Sequence, residues 1–117
     1  MRKLIFVGAM LFGMVANSFG WVYQKGTISS VTTVYGNDFD KFQEYFVGGV
    51  RASVVISGDG TSDLDLYIYD QNGNLVCQSI SNGDDEFCSW NPIWTGPFTI
   101  KVKNRGSYSN RYTIIAQ

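Results

Sequence analysis

The sequence predicts an all-β protein, an antiparallel β-sandwich or jelly roll of seven or eight short strands. Val, Ile, Tyr, Phe and Thr are concentrated in short runs that Gly, Asn, Asp and Ser separate, which is typical of strands and turns. Several runs alternate apolar and polar residues, the period of a half-buried strand. No stretch sustains a helical period. Short strands at regular spacing are the pattern of sandwiches and jelly rolls.

Eight runs are expected to form the strands, namely Gly26–Tyr35, Phe42–Val47, Val50–Ser57, Asp63–Asp70, Leu75–Ile80, Asp85–Trp90, Phe98–Lys103 and Asn110–Ala116. The segment Phe39–Phe46 offers a candidate helical turn, which we interpret as a loop followed by a strand. Asn72-Gly73 predicts a two-residue hairpin turn, since both residue types accept positive φ. Ser81–Asp84 predicts a second turn of the same chemistry.

The amino terminus has the pattern of a secretory signal peptide. A positive head, Met1–Lys3, precedes the apolar run Leu4–Val15 and a small-residue exit. The run is shorter than the roughly 20 residues that span a bilayer. We therefore expect a signal peptide over residues 1–20, cleaved before Trp21, and one domain over 21–117, secreted or periplasmic. An uncleaved anchor or a buried helix is the alternative.

The charge balance narrows the classes of partner. Loss of the signal peptide leaves 7 basic and 10 acidic residues, a net charge of −3. Nucleic acids and anionic lipids both favour basic surfaces, so neither is expected as a partner. No second apolar stretch reaches membrane length. The domain is expected to be a monomer that recognises an extracellular polymer or protein.

The two cysteines, Cys77 and Cys88, are expected to form one disulfide, because an exported chain meets oxidising conditions. A tight turn at Asn82-Gly83 would place them opposite each other on paired strands, within reach of a bridge. Two cysteines with no histidine in the chain are a poor zinc site.

The sequence lacks the usual groups for catalysis. It has no histidine, which removes the common general base and the Ser-His and Cys-His nucleophile pairs. It has no glycine-rich phosphate loop and no Gly-x-Ser-x-Gly motif. The protein is therefore predicted not to be an enzyme. A weak hydrolase that uses Asp63 or Glu86 is the alternative.

Two acidic groups form a candidate calcium site. They comprise Asp63 and Asp65 at one strand start and Asp84, Asp85 and Glu86 around a turn. Calcium binds six to eight oxygens from carboxylates, carbonyls and water, so these groups could hold it if the two ends meet. The alternative is that Asp serves here as an ordinary turn residue. Calcium is the one cofactor the sequence suggests.

Four aromatic residues form a candidate binding surface: Tyr67, Tyr69, Trp90 and Trp94. Alternation along Asp63–Asp70 places Tyr67 and Tyr69 on the face opposite the apolar one. Exposed aromatic side chains on a sheet commonly contact sugars or proteins. The alternative is that they pack beneath the loop at 91–97 or the amino-terminal segment.

An ordered set of motifs resembles the bacterial pre-peptidase C-terminal domain. The motifs are Ser62–Asp70 (SDLDLYIYD), Asn72-Gly73-Asn74, Ser81–Glu86 (SNGDDE), Gly96–Val102 (GPFTIKV) and Tyr112–Ile115 (YTII), within about residues 38–116. That family is a β-sandwich, calcium-dependent or calcium-tolerant, similar to collagen-binding domains. The resemblance implies a secreted, non-catalytic binding module for an extracellular polymer, envelope component or protein. The alternative is a small secreted inhibitor or immunity-type protein that acts on an enzyme.

Overall fold

A computed structural model describes residues 27–117 with their side chains, and residues 2–5, 13–17 and 20–24 as backbone strands. The predicted signal peptide, residues 1–20, lies partly outside the described residues, and its cleavage stays a prediction. Within the described ranges there is no helix long and apolar enough to cross a membrane.

The eight strands of the main domain form two four-stranded antiparallel layers, which confirms the predicted all-β sandwich. They are β4 (Ile28–Val34), β5 (Phe39–Phe46), β6 (Ala52–Ser57), β7 (Leu64–Tyr69), β8 (Leu75–Ser79), β9 (Asp85–Trp90), β10 (Gly96–Asn104) and β11 (Asn110–Ala116). Sheet I has the order β5-β10-β7-β8, and sheet II has the order β4-β11-β6-β9.

Three further strands lie near the amino terminus. β1 (Arg2–Ile5) pairs in parallel with the outer side of β5, and β2 (Gly13–Asn17) pairs with β3 (Gly20–Gln24) in a separate hairpin. The two layers of the sandwich are complete without these three strands. Every ladder that joins two of the eight strands from β4 to β11 is made by residues after Thr27.

Strand β5 begins earlier than the sequence suggested. The predicted loop at its start is wrong: Phe39 is already paired with Lys103 of β10. The alternation was hidden because two of the four inward positions, Asp40 and Glu44, are acidic, although both are buried. Asp40 is accommodated because the Tyr112 hydroxyl donates a 2.7 Å hydrogen bond to its Oδ2 atom.

The core lies between the layers and is filled by the alternate residues of each strand. In β7 the inward residues are Leu64, Leu66 and Ile68, as the alternation predicted. At one end of the core the rings pack edge to face, with 4.8 Å between the ring centroids of Phe46 and Trp90. Burial of such apolar side chains is the main force that holds the layers together.

The predicted hairpin between β7 and β8 is confirmed, but its turn is longer than two residues. The Gly73 N–H donates to the Asp70 carbonyl, and the Asp70 N–H donates to the Asn74 carbonyl. Only Gly73 of the two expected positions has positive φ, 82°. This is a three-residue loop with a bulge, in which glycine takes the left-handed position.

The predicted pairing of β8 with β9 is wrong, although the disulfide between them is confirmed. β8 is the edge strand of sheet I beside β7, whereas β9 is the edge strand of sheet II beside β6. The segment 80–84 therefore crosses from one layer to the other. Cys77 and Cys88 join the two layers, with 6.0 Å between their Cα atoms, and Cys88 is fully buried.

Candidate binding surfaces

Asp84 organises the loops at one end of the sandwich. Its Oδ2 atom accepts hydrogen bonds from the Gly60 N–H at 2.6 Å and from the Asn110 Nδ2 at 2.9 Å. Its carbonyl accepts one from the Gly58 N–H at 2.9 Å. Gly58 must be small, because a Cβ there would lie 2.2 Å from the Asp84 carboxylate. Asp84 therefore joins its own segment to the loop after β6 and to the start of β11.

The neighbouring carboxylates also bind hydroxyl groups of the chain. Asp85 accepts a 2.8 Å hydrogen bond from the Ser57 hydroxyl. Glu86 faces inward at the edge between the layers and accepts hydrogen bonds from Ser79 and Ser81. These hydrogen bonds supply the carboxylates with donors from the chain itself, as is usual for loop residues and buried acids.

Asp63 and Asp65 lie at the same end of the sandwich, where β7 of sheet I begins. Asp65 is buried on the outer face of sheet I, where its Oδ2 atom is 3.7 Å from the Arg105 Nε and 3.4 Å from the Tyr67 hydroxyl. Burial raises the pKa of Asp65, and the negative charge of Asp63 raises it further, while Arg105 lowers it.

We expect Asp65→Asn to stabilise the protein at pH 7 by less than about 1 kcal/mol. Because the pKa of Asp65 is raised on folding, its ionised form costs stability above that pKa, and the cost vanishes at acid pH. Denaturant unfolding at pH 7 and at pH 3 measures the difference. A variant that is no more stable than the wild type at pH 7 would contradict this account.

Within residues 27–117, no three acidic or cysteine side chains are arranged to hold a metal ion. The five predicted calcium ligands lie at the same end of the sandwich, but their described contacts are with the chain itself. Calcium binding by Asp63, Asp65, Asp84, Asp85 and Glu86 therefore stays a prediction.

The aromatic residues do not form one surface. Tyr67 and Tyr69 lie on the outer face of sheet I, as alternation predicted, with their rings 6.5 Å apart and inclined by 22°. Trp90 belongs to the core: it is 8% exposed and lies 5.7 Å from the Phe98 ring. It points to the same side of β9 as Cys88, which is the buried side, so it lies apart from Tyr67 and Tyr69, and its part in a binding surface stays a prediction.

Beside Tyr69, a groove of about 490 Å³ runs over the outer face of sheet I. Its walls include Lys41, Lys101, Gln43 and Thr99. The Lys101 ammonium lies 4.6 Å from the Phe39 ring centroid and 6.0 Å from that of Tyr67. Burial lowers the pKa of Lys101, and the nearby charges of Lys41 and Lys103 lower it further.

Trp94 lies in the loop 91–95, which projects from the end of the sandwich opposite Asp84. The Gly49 N–H donates to the Pro92 carbonyl at 2.8 Å, and the Gly48 N–H donates to the Thr95 hydroxyl oxygen at 2.9 Å. A Cβ at Gly48 would lie 2.7 Å from the backbone of Trp94, so this approach requires glycine. The loop is thus fixed at both ends.

The tip of this loop is Ile93, which is 87% exposed. Val50 and Val76, on neighbouring segments, are also exposed. An apolar cleft of about 130 Å³, lined in part by Ile93, Val76 and Trp94, lies beside the tip. Sequence reasoning missed Ile93; its one local signal is a large apolar residue between Asn91-Pro92 and Trp94, where a turn would normally be polar.

Two buried donors lie at this cleft. The indole N–H groups of Trp90 and Trp94 are shielded from solvent and have no acceptor among residues 27–117. Both residues line the cleft. Each N–H is a donor that the described part of the chain leaves without an acceptor, and it becomes available to a ligand only if the side chains around it move.

No family model matches the sequence. The structure is similar to that of a periplasmic inhibitor of g-type lysozyme, PliG, from Aeromonas hydrophila, with a TM-score of 0.64 and 12% identity over 100% of this chain and 98% of that one. PliG from Salmonella Typhimurium gives 0.53 and 16% over 98% and 96%.

The pre-peptidase C-terminal domain of collagenase from Bacillus anthracis gives a TM-score of 0.61 at 8% identity, over 98% of this chain and 94% of that one. The resemblance seen in the sequence is therefore confirmed for the fold. A similar sandwich is thus found in an inhibitor of lysozyme and in the pre-peptidase C-terminal domain of a collagenase.

Proposed function

We propose that this protein is an exported inhibitor of a lysozyme, which it blocks by inserting the loop 91–95 into the substrate cleft of the enzyme. The observation that carries the proposal is the exposure of Ile93 at the tip of a loop whose backbone is fixed by Gly48 and Gly49. A pre-formed loop loses little conformational entropy on binding, which favours affinity.

The surroundings of Ile93 have the layout of a protein-binding site. An exposed apolar anchor, Ile93, stands next to an apolar cleft that could receive a side chain of the partner. Binding energy in protein interfaces is concentrated in such anchors and pockets, with exposed apolar neighbours excluding water around them.

The comparisons support the choice of target and compartment. The PliG proteins of Aeromonas hydrophila and Salmonella Typhimurium, which have a similar fold, are periplasmic inhibitors of g-type lysozyme. The disulfide between Cys77 and Cys88 fits an oxidising compartment. A lysozyme inhibitor needs no catalytic group of its own, which agrees with a sequence that has no histidine.

The test is the lysis of a peptidoglycan suspension by g-type lysozyme, and by lysozymes of other families, in the presence of increasing amounts of the protein. We expect inhibition at a stoichiometric ratio. Ile93→Asp should weaken it at least tenfold, because the substitution places a charge where the enzyme cleft closes over the loop. The variant should fold normally, since Ile93 is exposed.

Ile80→Asp is the matched control, because Ile80 is also an exposed isoleucine in a loop, 51% exposed, but at the opposite end of the sandwich. It should inhibit as well as the wild type. Failure of the wild type to inhibit any lysozyme would overturn the proposal. Equal inhibition by the Ile93→Asp variant would overturn the role of the loop.

A further inference from the structure

We propose that the outer face of sheet I binds an anionic polysaccharide. This site is distinct from the loop 91–95, and neither proposal depends on the other. It would supply the extracellular polymer that the sequence suggested as a partner. The register of the three strands β5, β10 and β7 forms the site.

That register places chemically matched residues in two adjacent rows. The first row contains Lys41, Lys101 and Tyr67, on neighbouring strands. The second row, two residues along each strand, contains Gln43, Thr99 and Tyr69. Because strands lie about 4.8 Å apart and residues rise about 3.4 Å, the two rows cover roughly 10 by 7 Å, the footprint of a disaccharide.

The face offers positive charge that the described residues do not neutralise. Neither Lys41 nor Lys101 has a carboxylate within ion-pair distance among residues 27–117. Two acidic side chains lie nearby: Asp65 pairs with Arg105, and Asp70, which also lines the groove, accepts hydrogen bonds from the backbone of its own turn. Two clustered ammonium groups in a chain of net charge −1 favour an anionic ligand.

Tyr67 and Tyr69 supply the flat apolar part of the site. Their rings are nearly parallel, inclined by 22°, and lie on the same face of β7 with 6.5 Å between the ring centroids. The C–H face of a sugar ring packs well on aromatic rings, and the hydroxyl groups of the sugar can bind the amide of Gln43 and the hydroxyl of Thr99, which line the groove.

The same geometry disfavours an acidic peptide as the ligand. Peptides often bind by adding a strand to an open sheet edge. The groove lies on the face of sheet I, above β10, which is already paired on both sides with β5 and β7. Between Thr99 and Lys103, β10 is paired with both neighbours, so its backbone is not open to an extended chain there. A glycan, in contrast, can be bound by side chains alone.

The experiment measures binding of the full-length protein to carboxylated polysaccharides (polygalacturonate, alginate and hyaluronate), with neutral pullulan and poly-glutamate for comparison. We expect binding to at least one carboxylated polysaccharide, weakened by salt, and no binding to pullulan. The Lys41→Gln/Lys101→Gln variant should bind at least tenfold more weakly, as should Tyr67→Ala/Tyr69→Ala.

Arg111→Gln is the control for a positive charge removed outside the groove, because Arg111 is exposed on β11 in sheet II. It should bind as the wild type does. The melting temperature of each variant shows whether it is folded. Absence of binding to every carboxylated polysaccharide would overturn the proposal. So would equal losses in the Arg111 and lysine variants, or tighter binding to poly-glutamate that ignores the tyrosines.

Discussion

Reduction of the disulfide between Cys77 and Cys88 should lower the free energy of unfolding by about 3 kcal/mol. The bridge connects residues 11 positions apart, and in the unfolded chain it removes the conformations in which they are far apart. A loss of this size is a large part of the total stability of a small domain.

The position of the bridge adds a structural reason for this expectation. Edge strands β8 and β9 belong to different layers and share no ladder. Cys77 lies at the rim of the core and Cys88 inside it, so the bridge closes the sandwich where hydrogen bonds between strands cannot. Without it, we expect this edge to open before the rest of the domain.

Urea unfolding with and without reductant measures the effect. The Cys77→Ala/Cys88→Ala variant is the control, because its midpoint should not respond to reductant and should lie near that of the reduced wild type. If reductant left the midpoint of the wild type unchanged while the thiols became reactive, the bridge would not contribute as described.

The positions of the strands could be predicted because their signals are local. Alternation marked Leu64, Leu66 and Ile68 as core residues, and Gly73 marked a hairpin. The layer to which each strand belongs could not be predicted in this way. β8 and β9 are neighbours along the chain with a turn-like sequence between them. They nevertheless belong to different sheets, because β8 pairs with β7 and β9 pairs with β6.

For the candidate sites too, local features could be predicted from the sequence and long-range pairings could not. Tyr67 and Tyr69 were placed correctly because the parity of β7 is clear. Trp90 could have been placed from parity too: it lies two residues after Cys88, so a buried Cys88 implies an inward Trp90. The pairing of Lys41 with Lys101 could not be predicted, because it depends on which strands become neighbours across a long stretch of chain.

The second large effect concerns the opposite side of the sandwich, where the Tyr112 hydroxyl of sheet II donates to Asp40 of sheet I at 2.7 Å. Both side chains are buried. We expect Tyr112→Phe to lower the free energy of unfolding by about 2 kcal/mol, because it removes a hydrogen bond to a buried carboxylate and keeps the ring that packs against Phe42.

Tyr108→Phe is the matched control, since Tyr108 is 73% exposed and its loss of a hydroxyl should change stability by less than about 0.5 kcal/mol. A double-variant cycle with Asp40→Asn isolates the pair, and single-variant effects that simply add would contradict the coupling. Chemical denaturation at pH 7 provides all four values.

The pH dependence gives this prediction a second readout. Burial raises the pKa of Tyr112 far above its ordinary value of 10.0, and the charge of Asp40 raises it further. The unfolded chain releases this proton near pH 10, whereas the folded chain retains it, so stability from Tyr112 is present below pH 10 and declines above it. The advantage of the wild type over Tyr112→Phe should therefore shrink between about pH 10 and pH 11.5. A constant difference over that range would mean that the hydroxyl does not hold its proton in the core.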